Sequence, residues 1–116
     1  MADLPFQQIS VEQLATALAT NSTENLQLID VREPREVAMA KISGFTNLPL
    51  SQYEQWAPQI HTNFDLTKET YVLCHHGVRS AQMCYWLNQQ GFRKVKNIIG
   101  GIDAYSLAID PSIPRY

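Results

Sequence analysis

The chain has 116 residues, of which 45% are hydrophobic and 17% are charged, and its formal net charge is −2. This length and composition predict one globular domain with a hydrophobic core, and they exclude an intrinsically disordered chain. The small negative charge gives no reason to expect a nucleic acid or a membrane as a partner, and no apolar run approaches the roughly 20 residues that span a bilayer.

The cellular compartment is indicated by the N-terminus and the cysteines. The N-terminal segment has neither the basic start nor the apolar stretch of a secretory signal. The two cysteines, Cys74 and Cys84, are too few for a disulfide framework or for a zinc site made of cysteines. We therefore expect the protein in the cytoplasm, as a monomer, with no cofactor and no metal.

The first part of the chain alternates between helix and strand patterns. Ser10, with Gln13 three residues later, forms a capping-box pattern that predicts the start of a helix. Residues 26–31 form a largely apolar run that predicts a strand. Pro34 suits the first turn of a short helix that reaches Ala40.

The middle of the chain is less regular. Gly44 predicts a turn, and residues 46–49 are suited to a short extended segment. Ser51 and Glu54 form a second capping-box pattern, which predicts a helix that is broken near Pro58.

A cysteine separates a strand pattern from a helix pattern in the second half of the chain. Residues 71–73 form an apolar run that predicts a strand ending at Cys74. Residues 75–80 predict a loop, and a helix pattern follows from Ala81 to Gln90, where Gly91 ends it.

The last part of the chain completes the alternation. Residues 94–99 predict a strand, and a pair of glycines at 100 and 101 leads into a helix around 103–109. Residues 110–116 predict an irregular tail. Strands therefore alternate with helices almost throughout, which indicates an α/β fold whose central, mostly parallel sheet of about five strands is covered by helices on both faces.

The ends of two predicted strands carry reactive or charged side chains. In open α/β sheets, binding sites lie at the carboxyl ends of the strands. Cys74 ends one strand and Asp30 ends another, so we expect them at one edge, which Asp30 and Arg32 would brace. The helix that starts shortly after Cys74 would direct backbone N–H groups and its positive end at the sulfur, which favours the nucleophilic thiolate.

Residues 74–80 (CHHGVRS) resemble the active-site loop of the rhodanese family of sulfurtransferases. Residues 30–33 (DVRE), with Glu36 after them, are similar to an early signature of that family. Residues 42–49 (ISGFTNLP) are similar to its next motif, and the glycine pair at 100–101 precedes its final helix.

The resemblance covers residues 8–109 and therefore implies a single rhodanese-like domain over residues 1–116, with its core at about 8–109 and a tail at 110–116. The chain departs from the family pattern at three positions. Lys41 and Ser43 stand where the family usually has His and Pro, and Ile99 stands where an aromatic residue usually precedes the glycine pair.

The resemblance implies that Cys74 carries the chemistry. The Cys74 thiolate would attack the outer sulfur of an anionic donor such as thiosulfate, and sulfite would leave. The resulting persulfide would give its sulfur to a second molecule, which is cyanide in the standard assay or a thiol or a protein acceptor in the cell. This is covalent catalysis in two half-reactions.

The rest of the loop is expected to bind the substrate and its charge. The planar guanidinium of Arg79 would bind the sulfonate oxygens of thiosulfate. The alternative is a structural ion pair of Arg79 with Asp30 or Glu33. Gly77 would let the backbone of the loop, including Val78, fold toward the anion without a side chain in the way.

Four further residues could have either a functional or a structural role. His75 and His76 would either add partial positive charge near the sulfur or be exposed without a direct role, and no metal-ligand set accompanies them. Ser80 would either donate to the sulfur or cap the following helix, which is the favoured reading. Cys84 falls in the apolar stripe of that helix and is expected in the core.

Two rival functions remain open from the sequence. Phosphatases and arsenate reductases with a cysteine loop place five residues between Cys and Arg, whereas four separate Cys74 from Arg79. The shorter ring suits a single sulfur atom and is too small for a tetrahedral oxyanion. The second rival is a sulfur-relay or regulatory module that binds a partner protein and has little turnover of small molecules.

Overall fold

Five parallel strands form one sheet in the computed structural model, which describes residues 4–21 and 24–116; residues 1–3, part of the segment without a signal pattern, lie outside this description. The strands are β1 (Gln7–Ile9), β2 (Leu26–Asp30), β3 (Thr46–Asn47), β4 (Glu69–Leu73) and β5 (Val95–Ile98). Their order in the sheet is β1-β5-β4-β2-β3, and every pair is parallel. The predicted α/β class with about five strands is confirmed.

The helices connect these strands in turn. They are α1 (Val11–Thr20), α2 (Pro34–Met39), α3 (Tyr53–Trp56), α4 (Ile60–Asn63), α5 (Val78–Gln89) and α6 (Gly101–Ala108). Across the described ranges, none of these helices has the length and apolar character needed to cross a membrane.

The two faces of the sheet build two separate hydrophobic cores. Alternate residues of a strand point to opposite faces, so on β4 Leu73 joins the core under α1 and α6, whereas Val72 joins the core under α5. Leu14 of α1 and Leu87 of α5 are fully buried in these two cores. The predicted covering of both faces by helices is therefore confirmed.

The start of α1 follows the predicted capping box. The Ser10 hydroxyl accepts a hydrogen bond from the backbone N–H of Gln13 at 3.1 Å, and the Gln13 side chain accepts one from the backbone N–H of Ser10 at 2.9 Å. Two otherwise unpaired N–H groups at the helix start are satisfied in this way.

The second predicted capping box, at Ser51 and Glu54, is wrong. Ser51 lies within a 3₁₀ turn at Leu50–Gln52, and its hydroxyl donates to the carboxylate of Glu33. Ser51 therefore binds Glu33, which is distant in the sequence, instead of forming a capping box with Glu54. The expected break near Pro58 is present, because a second 3₁₀ turn at Ala57–Gln59 separates α3 from α4.

An aromatic cluster attaches α3 to α5. Tyr53, Trp56 and Trp86 meet edge to face, with ring centroids 5.3 to 5.5 Å apart. The indole N–H of Trp86 donates to the Tyr53 hydroxyl at 3.1 Å, and the indole N–H of Trp56 donates to the carbonyl of Pro49 at 2.7 Å. The polar atoms of both tryptophans are thereby satisfied.

The glycine pair lets α6 approach the end of β4 closely. α6 begins at Gly101, two residues before the predicted start, because Gly100 turns the chain with a φ of +79°. A Cβ atom on Gly101 would lie 2.5 Å from the carbonyl oxygen of Cys74 and would also overlap the carbonyl of His75. Gly101 itself has a φ of +61°.

We expect Gly101→Ala to destabilise the fold by roughly 3 kcal/mol or more, because strain at positive φ adds to a collision with backbone that cannot move aside. Gly91→Ala is the matched control. Gly91 has a φ of +100°, but a Cβ there would meet only Leu66 side-chain atoms at 3.7 Å, so we expect a loss of about 1–2 kcal/mol. Urea unfolding measures both, and equal losses would contradict the close-approach argument.

Candidate active site

Cys74 directly follows β4 at the carboxyl edge of the sheet. β2 lies beside β4, and its last residue, Asp30, is in register with Leu73. The structure therefore places Cys74 and Asp30 at the same edge, as the strand pattern predicts. Cys74 is only 1% exposed, so a reactant has to reach its sulfur with a small group.

The loop after the cysteine is shorter than the sequence pattern predicts. α5 begins at Val78, three residues before the predicted start at Ala81, and Gly77 is its N-cap with a φ of +101°. A glycine in the left-handed region turns the chain without a capping side chain, so rules based on capping side chains miss this start. Val78, Arg79 and Ser80 therefore form the first turn of the helix.

Two polar groups lie within hydrogen-bond distance of the cysteine sulfur. The backbone N–H of Gly77 donates to Sγ of Cys74 at 3.0 Å, and Oγ of Ser80 lies 3.2 Å from Sγ. The expectation of several backbone N–H groups is wrong in number: within residues 4–21 and 24–116, one N–H and one hydroxyl reach the sulfur. The start of α5 adds the partial positive charge of a helix N-terminus.

Ser80 does not cap the helix, contrary to the favoured prediction. It is the third residue of α5 and is fully buried, and its hydroxyl donates to Oδ1 of Asn97 at 2.5 Å. Asn97, which lies on β5, is not among the site residues predicted from the sequence. The available signal was a polar residue at an alternating strand position that the pattern with Val95 assigns to the core.

Arg79 is held by a carboxylate. Its Nη1 and Nη2 donate to the two carboxylate oxygens of Glu36 at 2.7 and 3.0 Å. The structural alternative of an ion pair is therefore present, but its partner is Glu36 on α2 instead of Asp30 or Glu33. The bond to Arg79 lowers the pKa of Glu36 to about 2, and the same bond raises the pKa of Arg79.

The C-terminal tail contacts this site through Tyr116. The sequence predicts an irregular tail at residues 110–116 but gives no indication of this contact. The Tyr116 hydroxyl donates to Oε2 of Glu36 at 2.9 Å and accepts from Nη1 of Arg32 at 2.9 Å. The Tyr116 ring stacks on His75, with centroids 3.9 Å apart and planes within 9°. No local pattern in the sequence joins Tyr116 to residues so far away along the chain.

Arg32 binds Asp30 at the edge of the sheet, where the sequence predicts a bracing role for both residues. Its side chain is fully buried, and its guanidinium bonds to both carboxylate oxygens of Asp30, the shortest contact being 2.7 Å. It also donates to the carbonyl of Ala40 at 2.8 Å. Burial opposes the charge of Arg32, but the hydrogen bonds to Asp30 and Tyr116 outweigh it and raise its pKa.

The two loop histidines have a third neighbour that the sequence analysis did not foresee. A nitrogen of His75, a nitrogen of His76 and a carboxylate oxygen of Asp103 lie within 4.8 Å of one another. The prediction that no further metal-ligating side chain lies near the two histidines is therefore wrong, because Asp103 is close to both. However, the two rings stack with centroids 3.9 Å apart, and Arg115 binds both oxygens of Asp103.

Burial and the neighbouring His76 lower the pKa of His75. Both effects disfavour the charged form, and therefore the partial positive charge predicted for His75 near the sulfur. The His76 side chain is 60% exposed. Val78, also expected at the substrate, is 68% exposed and presents an apolar side chain at the start of α5.

Cys84 lies in the core, where the sequence analysis places it. It is fully buried on α5 between Met83 and Leu87 of the same helix, in the apolar cluster between α5 and the sheet. This burial raises the pKa of the Cys84 thiol. Cys84 is therefore an inert side chain of the core.

Comparison with known proteins agrees with this geometry. Residues 10–108 match the family model of the rhodanese-like domain. The chain is 48% identical to a rhodanese-like/PpiC domain-containing chloroplast protein 12 of Arabidopsis thaliana over 97% of its own length, and it spans 38% of that protein. It is 33% identical to a sulfurtransferase of Allochromatium vinosum, over 85% of this chain and 87% of the relative.

A solved structure shows the same architecture. The crystal structure of a rhodanese-like domain protein from Staphylococcus aureus aligns with a TM-score of 0.75 and 25% identity, over 96% of this chain and 99% of that one. The resemblance seen in the cysteine loop is therefore confirmed over nearly the whole described chain, and the chain belongs to the rhodanese-like domain family, which includes proteins named as sulfurtransferases.

Proposed function

We propose that this protein transfers a sulfane sulfur through a persulfide on Cys74. The observation that carries the proposal is the setting of the Cys74 sulfur, which meets the N–H of Gly77 and the hydroxyl of Ser80 at the start of α5. Hydrogen bonds from such groups stabilise an anionic sulfur more than a neutral one. Membership of a family with named sulfurtransferases supports the same chemistry.

The proposed reaction has two half-reactions. The Cys74 thiolate attacks the outer sulfur of thiosulfate; an S–S bond forms at Cys74, the sulfur–sulfur bond of thiosulfate breaks, and its electron pair leaves with sulfite. Cyanide or a thiolate then attacks the outer sulfur of the persulfide, and the electron pair of that bond returns to Cys74. Each half-reaction moves one sulfur atom and leaves the enzyme ready for the next.

The burial of Cys74 fits a small transferred group. With 1% of the residue exposed, the tip of a donor can contact Sγ while its bulk stays outside. The four-residue spacing from Cys74 to Arg79 supports the same conclusion, because the enclosed space suits one sulfur atom. A tetrahedral phosphate would need a wider ring, so phosphatase activity is the weaker hypothesis.

Arg79 can act on a donor only together with Glu36. Their ion pair neutralises one charge with the other, and it leaves Arg79 with the N–H groups that do not face Glu36. We propose that these remaining groups bind the sulfonate oxygens of an anionic donor, and that Glu36 fixes the guanidinium plane.

The acceptor is proposed to be a small thiophile or a thiol, with a protein thiol as the alternative. Fast transfer to cyanide or dithiothreitol would indicate a general sulfurtransferase. Slow turnover with small molecules, combined with tight binding to one protein, would instead indicate a sulfur-relay module.

Treatment with thiosulfate should add one sulfur atom to the wild-type protein, because the persulfide is a stable covalent intermediate in the absence of an acceptor. Cys74→Ser should take up none and lose all transfer to cyanide. Cys84→Ser is the matched control: it should keep most transfer while losing about 1–3 kcal/mol of stability, since it buries a hydroxyl in an apolar cluster.

Intact-mass spectrometry and a thiocyanate assay measure these effects. Sulfur uptake by Cys74→Ser would contradict the proposed function. Hydrolysis of an aryl phosphate that depends on Cys74 would support the phosphatase hypothesis instead.

Arg79→Ala should raise the KM for thiosulfate about tenfold, which corresponds to the loss of a hydrogen bond to a charged group. Transfer from an uncharged organic trisulfide should change less than about twofold, because that donor offers no anion to bind. Arg79→Lys is the control that keeps the charge without the planar fork. Equal losses with both donors would indicate that Arg79 has only a structural role.

Glu36→Gln should destabilise the protein at neutral pH by about 1–3 kcal/mol, a value reduced for the partial exposure of Arg79. The folded-state pKa of Glu36 is about 2, below its ordinary value of 4.5. A lowered pKa stabilises the fold above the unfolded pKa, and this gain is lost as the pH falls toward the folded pKa. The difference between the two proteins should therefore shrink between about pH 5 and pH 2.

Urea unfolding across this pH range measures the difference, with Glu54→Gln as the control because Glu54 is exposed on α3. A difference that stays constant down to the acid end would contradict the assigned role of the ion pair.

A further inference from the structure

Asn97 is a polar side chain on a strand face that otherwise builds the core. It is 3% exposed and follows Val95 on the same face of β5, next to the apolar cluster under α5. Burying an amide costs free energy unless its donor and acceptor groups are paired. The partners of Asn97 therefore decide why an amide lies at this position.

The Asn97 side chain makes three hydrogen bonds within residues 4–21 and 24–116. Its Nδ2 donates to the carbonyl of Gly77 at 3.1 Å and, more weakly, to Oε1 of Gln8 at 3.5 Å. Its Oδ1 accepts from the hydroxyl of Ser80 at 2.5 Å. The amide has one orientation in this arrangement, because a flip would set its oxygen against the carbonyl oxygen of Gly77.

Both main partners of Asn97 belong to residues that also contact the Cys74 sulfur, although Asn97 bonds the carbonyl of Gly77 and the sulfur meets its N–H. Gly77 donates its N–H to Sγ of Cys74, and the Oγ of Ser80 lies 3.2 Å from the same atom. Asn97 thus holds the loop glycine with one end of its amide and the helix serine with the other. Asn97 therefore contacts one neighbour of the sulfur in the loop, Gly77, and one in α5, Ser80.

The hydroxyl of Ser80 has one proton and two neighbours that can accept it. In the bond to Asn97 the proton points at Oδ1, so a neutral Cys74 thiol can donate its own proton to Oγ of Ser80. An anionic sulfur has no proton to give and becomes the stronger acceptor. The Ser80 proton then turns toward Sγ, so that Oγ of Ser80 changes from acceptor to donor in its contact with Cys74.

We infer that Asn97 is a positioning residue of this site, which holds Gly77 and Oγ of Ser80 in place beside Cys74. From these positions the Gly77 N–H, and the Ser80 hydroxyl once its proton has turned, stabilise an anionic sulfur. Asn97 does not touch the sulfur and acts through its two partners. The consequence for catalysis rests on the proposed function, because the anionic sulfur would then be the thiolate and the persulfide of sulfur transfer.

The test is the rate of Cys74 alkylation by iodoacetamide as a function of pH, followed on the Cys74 peptide by mass spectrometry so that Cys84 does not contribute. Ser80→Ala and Asn97→Ala should each slow the reaction at neutral pH by about tenfold, the effect of losing a hydrogen bond to a charged group. Both should move the midpoint of the pH profile to higher pH.

The double variant separates a positioning role from an independent one. Because one of the two contacts through which Asn97 acts is lost already in Ser80→Ala, the double variant should be slower than Ser80→Ala by less than about threefold, instead of by a full further factor of ten. Ser80→Thr keeps a hydroxyl, so Cys74 in this variant should be alkylated at most of the wild-type rate, in contrast to Ser80→Ala.

Thr70→Val is the matched control for stability. Thr70 is a fully buried polar residue on the neighbouring strand β4, and its hydroxyl bonds to Gln27 and the carbonyl of Lys68. Thr70→Val should lower the unfolding midpoint without changing the pH profile of Cys74 alkylation. If Asn97→Ala does not fold, Asn97→Val, which suits a strand, takes its place.

Three results would overturn the inference. They are an Asn97 variant with a wild-type pH profile, a double variant with fully multiplied effects, and a shift of the midpoint to lower pH, which would make Asn97 a competitor for the Ser80 proton. Alkylation needs no sulfur donor. A wild-type protein that fails to take sulfur from thiosulfate would therefore overturn the proposed function and leave the result on Asn97 standing.

Discussion

The position of the loop that follows Cys74 depends on the way α6 is attached to the end of β4. The N–H of Ile102 donates to the carbonyl of Cys74 at 3.0 Å, and the N–H of Asp103 donates to the carbonyl of His75 at 3.1 Å. These N–H groups belong to the first turn of α6 and have no partner inside their own helix. The attachment therefore satisfies these N–H groups and fixes the two peptide groups that follow the cysteine. It requires that residue 101 has no side chain, since a Cβ there would collide with the carbonyls of Cys74 and His75.

The second constraint is the network of charges beside the loop. Glu36 binds Arg79 with both oxygens and also accepts from Tyr116, while Arg32 binds Asp30. Each of these two cations has a carboxylate partner, so the charges at this edge largely cancel. Stabilisation of an anionic sulfur then falls mainly on short-range groups, namely an amide, a hydroxyl and the end of α5.

The sequence predicts most of the fold because strand and helix periods are local. The alternation of strands and helices, the capping box at Ser10 and the breaks at Pro58 and Gly91 were all readable from neighbouring residues. The starts of α5 and α6 were predicted two or three residues late. In both cases a glycine with positive φ begins the helix, and such a glycine carries no capping side chain to recognise.

The candidate site was predictable only in part. The position of Cys74 follows from the strand pattern and the loop motif. The partners of its neighbours do not, because Glu36 meets Arg79 across 43 positions of the chain and Tyr116 meets Glu36 across 80. Such pairs depend on how α5, α2 and the tail pack together, which no local pattern contains.

The aromatic cluster between α3 and α5 gives the protein an intrinsic optical reporter. The chain has two tryptophans, Trp56 and Trp86, and both lie in this cluster in mutual contact. Their emission therefore comes from a single place in the molecule, beside α5, the helix that begins directly after the loop that follows Cys74. Any displacement of that helix changes the surroundings of both indoles at once, and fluorescence can follow it without a label.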